Sequence, residues 1–432
     1  MAIRRVAAIG GIAALALLAT GPGAAADPEL LRTWGHIGTG PGEFRLPDGL
    51  AVDTGGSVWV ADRDNNRIQK FTYDGKVEPF PPFKRTHLTS APGHFNLPYG
   101  VAVNGLGELY VADTHNHRIQ WFTPQGKLIK TWGRHGKAPG EFDTPRGLTV
   151  DVFGNVWVAD HTNQRVQKFS YDGRLLGVFG ANGGDGTPGS GAGEFFEPRG
   201  MSSDADGNIY VAEMVNHRVQ VLRNDGSFLR AWGKGGTGGY EQVGSGYGEF
   251  RLPYQTAVDT KGRVWVTDTD NERVQVFTRE GQFLRAFGAN NADGTIGSLP
   301  GEFHKPYGAA SDCAGNVYVT EQENRRVQVF GERGAPKPVC PPRMRGVSVR
   351  VQRGSVRATA TCDRPCRLIV SARGGAIPRP AEKVVRDRAG GALTVTARTR
   401  TRTRGTGRAT ITVTAQGAPG AETTVKRTLT LR

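Results

Sequence analysis

The sequence predicts an all-β protein, a six-bladed β-propeller followed by a small C-terminal β-sandwich. The main observation is a unit that recurs six times, at intervals of 51, 47, 53, 55 and 53 residues. Its copies begin at Phe44, Phe95, Phe142, Phe195, Phe250 and Phe303. Each copy contains only short apolar runs separated by Gly, Asn and Asp turns, which is typical of four-stranded propeller blades.

An export signal is predicted for residues 1–26. Arg4 and Arg5 form a positive start, residues 9–18 an apolar core and residues 24–26 a small-residue cleavage site. The apolar core is too short to span a bilayer comfortably, and no later segment offers a transmembrane span. We therefore expect a secreted, extracellular protein. A Sec-type signal fits, and the arginine pair leaves twin-arginine export open.

The third repeat shows how each blade is built. Its first strand covers residues 147–151 and ends in a Gly-Asn turn. Residues 156–159 are apolar at every position, the pattern of a strand buried on both faces. Residues 166–169 and 175–179 form the third and fourth strands. Gly, Asn and Asp in the turns supply the positive φ of tight hairpins.

The sixth repeat lacks a fourth strand of its own, because the chain runs directly into a Pro-rich linker at residues 335–342. At the other end, residues 30–35 read LLRTWG and match LIKTWG at residues 128–133, the fourth strand of repeat two. We predict that residues 30–34 pair onto the sixth blade and close the ring, within a propeller spanning residues 27–334. Closure removes open sheet edges, which favour aggregation.

The repeats resemble NHL repeats over about residues 30–331. The resemblance rests on the pattern Pro-x-Gly, Gly-Asn-Val-Trp-Val-Ala-Asp and Asn-His-Arg-Ile-Gln, with Asn116-His117-Arg118 and Asn216-His217-Arg218 as close matches. It implies a six-bladed propeller, in agreement with the number of copies. It does not imply one activity, because family members and close relatives include protein-binding platforms, RNA-binding modules and a metal-dependent amidating lyase.

Every repeat places an arginine five residues after the acid that ends its second strand. We interpret each pair as a clamp across the hairpin, the arginine fork bridging to the carboxylate. A ring of ligand-binding groups is the alternative, but ligand sites rarely use all blades equally. The pairs are Asp62 with Arg67, Asp113 with Arg118, Asp160 with Arg165, Glu213 with Arg218, Asp268 with Arg273 and Glu321 with Arg326.

The most informative positions differ between otherwise matching repeats. They lie between the Pro and Gly of each first strand, near the channel mouth on the face that carries the long loops. Function in such scaffolds usually lies on the variable loop face. Three Tyr and two Arg would suit an anionic or carbohydrate-like ligand or a peptide carboxylate, and the alternative is that they merely plug the channel. The residues are Asp48, Tyr99, Arg146, Arg199, Tyr254 and Tyr307.

The histidines leave an enzymatic alternative open. His117 and His217 lie in matching turns, with His115 and His161 nearby. A propeller can gather His onto a metal in its central channel, as the lyase relative does. His is also part of the plain repeat pattern, and no first strand carries one. We therefore predict a non-enzymatic binding protein with no metal and no cofactor. The alternative is a metal-dependent lyase or hydrolase with its site in the channel.

The C-terminal region differs sharply in charge from the propeller. Residues 343–432 carry 20 Lys and Arg against 4 Asp and Glu, whereas the rest of the chain is nearly neutral. Short alternating runs there predict a basic Ig-like sandwich. Arg398, Arg400, Arg402 and Arg404 alternate with Thr and would form a basic stripe. The stripe would suit an anionic cell-surface polymer, or be a solvated edge.

Four cysteines in an exported chain predict disulfides. Cys362 and Cys366 are close enough for a local bridge, and Cys313 with Cys340 would fix the linker to the last blade. Other pairings remain open. The expected partner is a protein or glycan ligand, export argues against nucleic acid, and we expect a monomer.

Overall fold

The computed structural model describes residues 28–79, 90–233, 243–334 and 337–340, and seven strand segments between residues 344 and 431. Over residues 28–334 the strands form six four-stranded antiparallel sheets, each one blade of a propeller. The predicted all-β, six-bladed architecture is therefore confirmed. Among the described residues, no helix has the length and apolar character needed to cross a membrane.

Each blade begins at the central channel and adds its strands outwards. Blade by blade, the strands are Pro47–Val52, Val58–Asp62, Arg67–Phe71 and Val77–Glu78; Pro98–Val103, Leu109–Asp113, Arg118–Phe122 and Leu128–Trp132; Pro145–Val150, Val156–Asp160, Arg165–Phe169 and Leu175–Phe179; Pro198–Ser203, Ile209–Glu213, Arg218–Leu222 and Phe228–Trp232; Pro253–Val258, Val264–Asp268, Arg273–Phe277 and Phe283–Phe287; and Pro306–Ser311, Val317–Glu321, Arg326–Gly331 and Glu29–Trp34. The described 3-10 helices are Arg63–Asn65, Thr114–Asn116, Ala181–Gly183, Thr269–Asn271 and Ala289–Asn291. A short parallel pairing joins His36–Ile37 to Glu43–Phe44.

The ring of blades is closed by the first described strand, which joins the sixth blade. Glu29–Trp34 pairs antiparallel with the third strand of the sixth blade, so that Leu30 lies opposite Phe330 and Trp34 opposite Val327. The prediction that residues 30–34 complete this blade is confirmed. Every blade therefore has four strands, and no blade of the ring presents an unpaired third strand.

The core consists of apolar layers between neighbouring blades. All five residues of every second strand are buried, as the continuous apolar runs predicted. In the layer between the third and fourth blades, Trp157 packs against Met201 and Ile209. The Phe that opens each repeat is also buried; Phe142, for example, packs against Phe169 of its own blade.

The Gly of the Pro-x-Gly motif allows the first strands to approach each other around the channel. A β-carbon on Gly147 would overlap the carbonyl of Arg199 in the next blade, and one on Gly100 would overlap the carbonyl of Arg146. The backbone can converge only where the side chain is absent. This close approach brings the residues that precede the glycines into one ring.

Residues 337–340, the described part of the linker, lie on the short-turn face of the propeller. The predicted disulfide between Cys313 and Cys340 is present, with Cα atoms 6.2 Å apart. The Cys340 N–H donates to the carbonyl of Thr54 at 2.8 Å. Because Thr54 and Cys313 lie in the turns after the first strands of blades one and six, Cys340 is fixed beside the junction of these two blades.

The described C-terminal strands form two antiparallel sheets, one of three strands and one of four. Six of the seven strands coincide with the alternating apolar runs of the sequence, and Ile377–Asp387, which contains Pro378 and Pro380, does not. Proline is tolerated on an edge strand, and this strand lies at the edge of its sheet. The strands are Met344–Gln352, Ser355–Cys362, Cys366–Gly374, Ile377–Asp387, Ala392–Arg398, Gly407–Gln416 and Glu422–Leu431.

Three predictions on this region stay predictions. Residues 399–406, which hold most of the basic stripe, and residues 363–365, between Cys362 and Cys366, lie outside the described residues. The Ig-like character of the region and the domain boundaries at 27, 335 and 343 likewise stay predictions.

Candidate binding site at the channel mouth

The structure brings the six variable Pro-x-Gly residues into one ring at the loop-face end of the channel. Asp48 and Arg199 are buried, and Tyr99, Arg146, Tyr254 and Tyr307 are half-buried. The space left inside the ring is about 20 Å³, enough for about one water molecule. A ligand would therefore rest on this layer from the loop side rather than pass through it. We call these six residues the mouth ring.

Arg199 reaches across the mouth ring. Its guanidinium carbon lies 3.5 Å from the centre of the Tyr254 ring, and one guanidinium nitrogen lies 4.0 Å from a carboxylate oxygen of Asp48. The hydroxyl of Tyr307 donates to the hydroxyl of Tyr254 at 3.3 Å. A buried guanidinium over an aromatic face gains from cation–π attraction. Arg199 therefore has partners inside the protein and helps to hold the ring in place.

Asp48 is shared between two arginines. Besides Arg199, Arg63 approaches its Oδ2 to 3.7 Å, and the side-chain amide of Gln322 donates to the same oxygen at 3.1 Å. Burial raises the pKa of Asp48, and the positive charges of Arg199 and Arg63 oppose that rise. Arg63 also pairs with Asp64 at 3.0 Å and donates to the Tyr99 hydroxyl at 3.4 Å.

Arg146 is the mouth cation with the weakest internal contacts. Its guanidinium carbon lies 5.0 Å from the centre of the Tyr99 ring. Its Nε is buried without a hydrogen-bond partner, and no carboxylate of the described residues lies within 4 Å of the guanidinium. The mouth thus holds three guanidinium groups, those of Arg63, Arg146 and Arg199, and two carboxylates, Asp48 and Asp64, which pair with Arg63 and Arg199. An anion at Arg146 would satisfy donors that the protein leaves unused.

A second ring surrounds the mouth, and the sequence analysis missed it. It consists of the residue that follows each clamp acid: Arg63, Thr114, His161, Met214, Thr269 and Gln322. The hydroxyl of Thr114 donates to the carbonyl of Pro145 in the next blade at 2.7 Å, and Thr269 does the same to Pro306 at 2.6 Å. The signal was visible in the sequence, because this position differs from repeat to repeat whereas the position before it is always Asp or Glu.

His161 of the second ring is a buried, neutral imidazole. Its Nδ1 lies 3.3 Å from the carbonyl of Pro198, and burial lowers its pKa to about 4. Its Nε2 faces Glu197 at 3.8 Å, and burial raises the pKa of that carboxyl. The imidazole packs against the neighbouring blade rather than presenting a charge to the mouth.

The predicted clamps occupy most of the hydrogen-bond donors of their arginines. In all six blades the arginine Nε donates to the acid at 2.5 to 2.7 Å. In blade three, Arg165 also donates to the carbonyls of Lys137, Ala138 and Glu141 in the preceding loop. The clamp thus ties the hairpin to the loop that leads into its blade. In blade three, a further bond from Arg165 to the carbonyl of Gly184 leaves the guanidinium no donor for a ligand.

The repeated His has a structural role between blades. Nδ1 of His117 accepts the N–H of Thr144 at 3.1 Å, and Nδ1 of His217 accepts that of Leu252 at the same distance. Asn66 does the same for Leu97 with its side-chain oxygen at 2.8 Å. His117 and His217 therefore lie at the seams between blades, and His115 is exposed. None of these three imidazoles lines the channel.

The channel itself offers little for a metal. All six first strands are described, and together they contain one acid, Asp48, and no His or Cys. Below the mouth ring lies a cavity of about 140 Å³ lined by apolar residues and small hydroxyls, including Leu148, Met201 and Ser202. The Ser202 and Thr256 hydroxyls lie 2.8 Å apart and bond to each other. A single acid falls short of the three ligands typical of catalytic zinc.

The fold and the mouth define a six-bladed β-propeller with a polar, loop-face site. The family model described as NHL repeat matches residues 44–71, 95–122, 142–169, 195–222 and 250–277. The chain therefore contains five NHL repeats. The sixth blade, built on Phe303 and closed by the first described strand, completes the ring in the structure.

Curated relatives match parts of the propeller. The chain is 30% identical over 144 residues to protein brain tumor of Drosophila melanogaster, covering 33% of this chain and 12% of that protein. It is 35% identical over 103 residues to peptidyl-glycine alpha-amidating monooxygenase of Mus musculus, covering 23% of this chain and 10% of that protein. The matched region is thus a small part of either relative.

Among solved structures, a structural-genomics protein of unknown function from Bacteroides thetaiotaomicron superimposes with a TM-score of 0.52. The two chains are 16% identical, and the match covers 70% of this chain and 75% of the other. At this identity the likeness concerns the fold alone.

Proposed function

We propose that this chain is an exported, non-enzymatic binding protein whose mouth ring captures an anionic group of a protein or glycan ligand. The observation that carries the proposal is Arg146. A half-buried guanidinium with an unpartnered Nε is costly unless a partner supplies the missing acceptor. Because guanidinium groups outnumber carboxylates at the mouth, we expect that partner to carry a negative charge.

The neighbours of Arg146 favour a carboxylate held beside an aromatic face. The guanidinium carbons of Arg63 and Arg146 each lie 5.0 Å from the centre of the Tyr99 ring. Sugar rings and peptide side chains pack on such faces, while a planar guanidinium binds carboxylates through two parallel hydrogen bonds. We therefore favour an acidic glycan or a peptide with a free C-terminal carboxylate.

The test is a binding array of carboxylated and uncharged glycans and of peptides with free or amidated C termini. We expect the full chain to bind a carboxylated probe and the Arg146→Gln variant to bind it about 10 to 100 times more weakly, because charged hydrogen bonds contribute about 1.5–3 kcal/mol. The control is Arg174→Gln, the same charge change at an exposed position on the opposite face. Equal binding by wild type and Arg146→Gln would contradict the proposal.

We also propose that the basic C-terminal region holds the protein to an anionic surface polymer. The excess positive charge of the chain lies in residues 343–432. Salt screens charge–charge attraction, so binding of this region to a polyanion should weaken as the salt concentration rises. Replacing Arg398, Arg400, Arg402 and Arg404 by Ser in the full chain should release the protein from anionic beads at a lower salt concentration. An unchanged elution salt would contradict this role for the stripe.

A further inference from the structure

A cluster of metal-ligating side chains lies outside the mouth ring, at the seam between the second and third blades. It consists of His117, His135 and Asp143, each of which offers one ligand atom within 4.8 Å of the others. His117 comes from the turn of blade two, His135 from the connecting loop and Asp143 from the start of the third repeat. Three separate segments of chain therefore converge on one point.

The distances fit a transition metal after small side-chain rotations. The carboxylate oxygen of Asp143 lies 3.6 Å from Nδ1 of His117 and 3.7 Å from Nε2 of His135. Ligand atoms about 2.1 Å from a tetrahedral zinc are roughly 3.4 Å apart, so the three are nearly in place. The two imidazole rings are 4.4 Å apart between centres. His135 is mostly exposed and free to adjust.

The charges favour a cation here. Asp143 has no Lys or Arg within 4 Å among the described residues, and its ion-pair neighbours are the two imidazoles. The exposed side of His135 leaves a fourth position for water.

One existing contact competes with a metal. Nδ1 of His117 accepts the N–H of Thr144 at 3.1 Å, so that nitrogen carries a lone pair and no proton. A metal at Nδ1 would take that lone pair and cost the backbone hydrogen bond. A micromolar site is therefore expected rather than the far tighter affinity of a four-ligand structural zinc.

The equivalent seam between the fourth and fifth blades lacks the other ligands. His217 makes the same bond to the N–H of Leu252 at 3.1 Å. Arg251 takes the place of Asp143. Burial lowers the pKa of His217, and the charge of Arg251 lowers it further. A histidine therefore bridges the blades in both seams. Of the two seams, the one between the second and third blades also has His135 and Asp143.

We propose that His117, His135 and Asp143 form a binding site for one divalent transition-metal ion, with zinc as the best match. Two imidazoles and one carboxylate are ligands that zinc, nickel and copper accept, and that calcium and magnesium do not prefer. A bound ion would tie the 133–144 loop to the second blade. The site is distinct from the mouth ring and does not depend on the function proposed for it.

The test is a titration of Zn²⁺ into the full chain after treatment with a chelator. Calorimetry measures the heat of binding, and thermal unfolding measures the rise in melting temperature. We expect one equivalent to bind, with affinity at least tenfold lower in His135→Ala, Asp143→Asn and His117→Asn. His117→Asn should keep the backbone bond, because Asn66 makes it in the first blade. His135→Ala changes an exposed residue and should fold normally.

His217→Asn is the matched control and should leave Zn²⁺ binding unchanged, and Ca²⁺ should not compete. Absence of a stoichiometric site in the wild type would overturn the proposal, as would equal affinity in His135→Ala. A loss of binding on His217→Asn would place the metal elsewhere and overturn it too.

Discussion

The clamp arginines and the mouth arginines lie on the same side of the propeller but differ in their partners. Each clamp arginine has a carboxylate of its own and, as in Arg165, a set of backbone carbonyls. At the mouth, Arg63 and Arg199 share the carboxylate of Asp48, and Arg63 also pairs with Asp64. Arg146 has no carboxylate within 4 Å among the described residues. Repetition in every blade therefore marks side chains whose bonds are used within the fold. Where the side chain varies between blades, the bonding varies too, and Arg146 keeps a buried Nε without a hydrogen-bond partner.

The largest test of this comparison is the pair Arg165→Met and Arg146→Met. Removing Arg165, which is 1% exposed, leaves the buried Asp160 carboxylate without its cation and should lower the free energy of unfolding by about 3–5 kcal/mol. Removing Arg146 loses a cation–π contact and should cost about 1 kcal/mol or less. Urea unfolding of both variants measures the difference. Similar losses would show that the mouth arginine is structural as well.

The second test measures how the free energy of unfolding changes in acid because of His161 in the second ring. The pKa of His161 is about 4 in the folded protein and about 6.5 when unfolded, so the unfolded chain binds more protons between these values. Its contribution to stability is complete above pH 6.5 and is lost as the pH falls towards 4. Between pH 7.5 and pH 5 the loss should be about 2 kcal/mol.

A His161→Gln variant isolates this effect, because the carboxyl groups titrate equally in both proteins. Thermal unfolding at the two pH values should show a steeper loss in the wild type than in the variant. Parallel losses would mean that His161 is protonated in the folded protein, and that the second ring is more open to solvent than its burial indicates.

The sequence was sufficient for the architecture because the repeat supplies the same pattern six times. The apolar second strands, the turn glycines and the LLRTWG segment each have one physical explanation, and together they determine six closed blades. The positions of the mouth ring were also located from sequence, since the first strands of a propeller line its channel and this residue lies at the start of each first strand. Asp48, Arg146 and Arg199 were identified in this way.

The sequence could not show which residues share partners across the ring. Arg63 and Gln322 meet at Asp48 from blades one and six, although Gln322 lies 274 positions away. The convergence of His117 with His135 depends on how a loop folds back on its blade. The strand Ile377–Asp387 was missed for a different reason, because its prolines are compatible with a strand only at a sheet edge.

The smallest test concerns the position whose side chain accepts a backbone N–H from the next blade. Different blades fill this position with different residues. Asn66, Gln164 and His217 each accept a backbone N–H from the next repeat, and each has a φ near +50°. What the position needs is therefore an acceptor that tolerates a left-handed backbone. We expect His217→Ala to lower the free energy of unfolding by about 1–2 kcal/mol, through the lost hydrogen bond and the strained backbone.

His217→Asn should cost less than about 0.5 kcal/mol, because Asn supplies the acceptor and adopts this backbone readily. Chemical denaturation of the two variants side by side measures the contrast. If Asn and Ala were equally damaging, the imidazole itself would be required at the seam, through its buried Nε2 face or its packing. The similar distances at Asn66 and His217, 2.8 and 3.1 Å, favour the acceptor as the conserved requirement of the bridge rather than the ring.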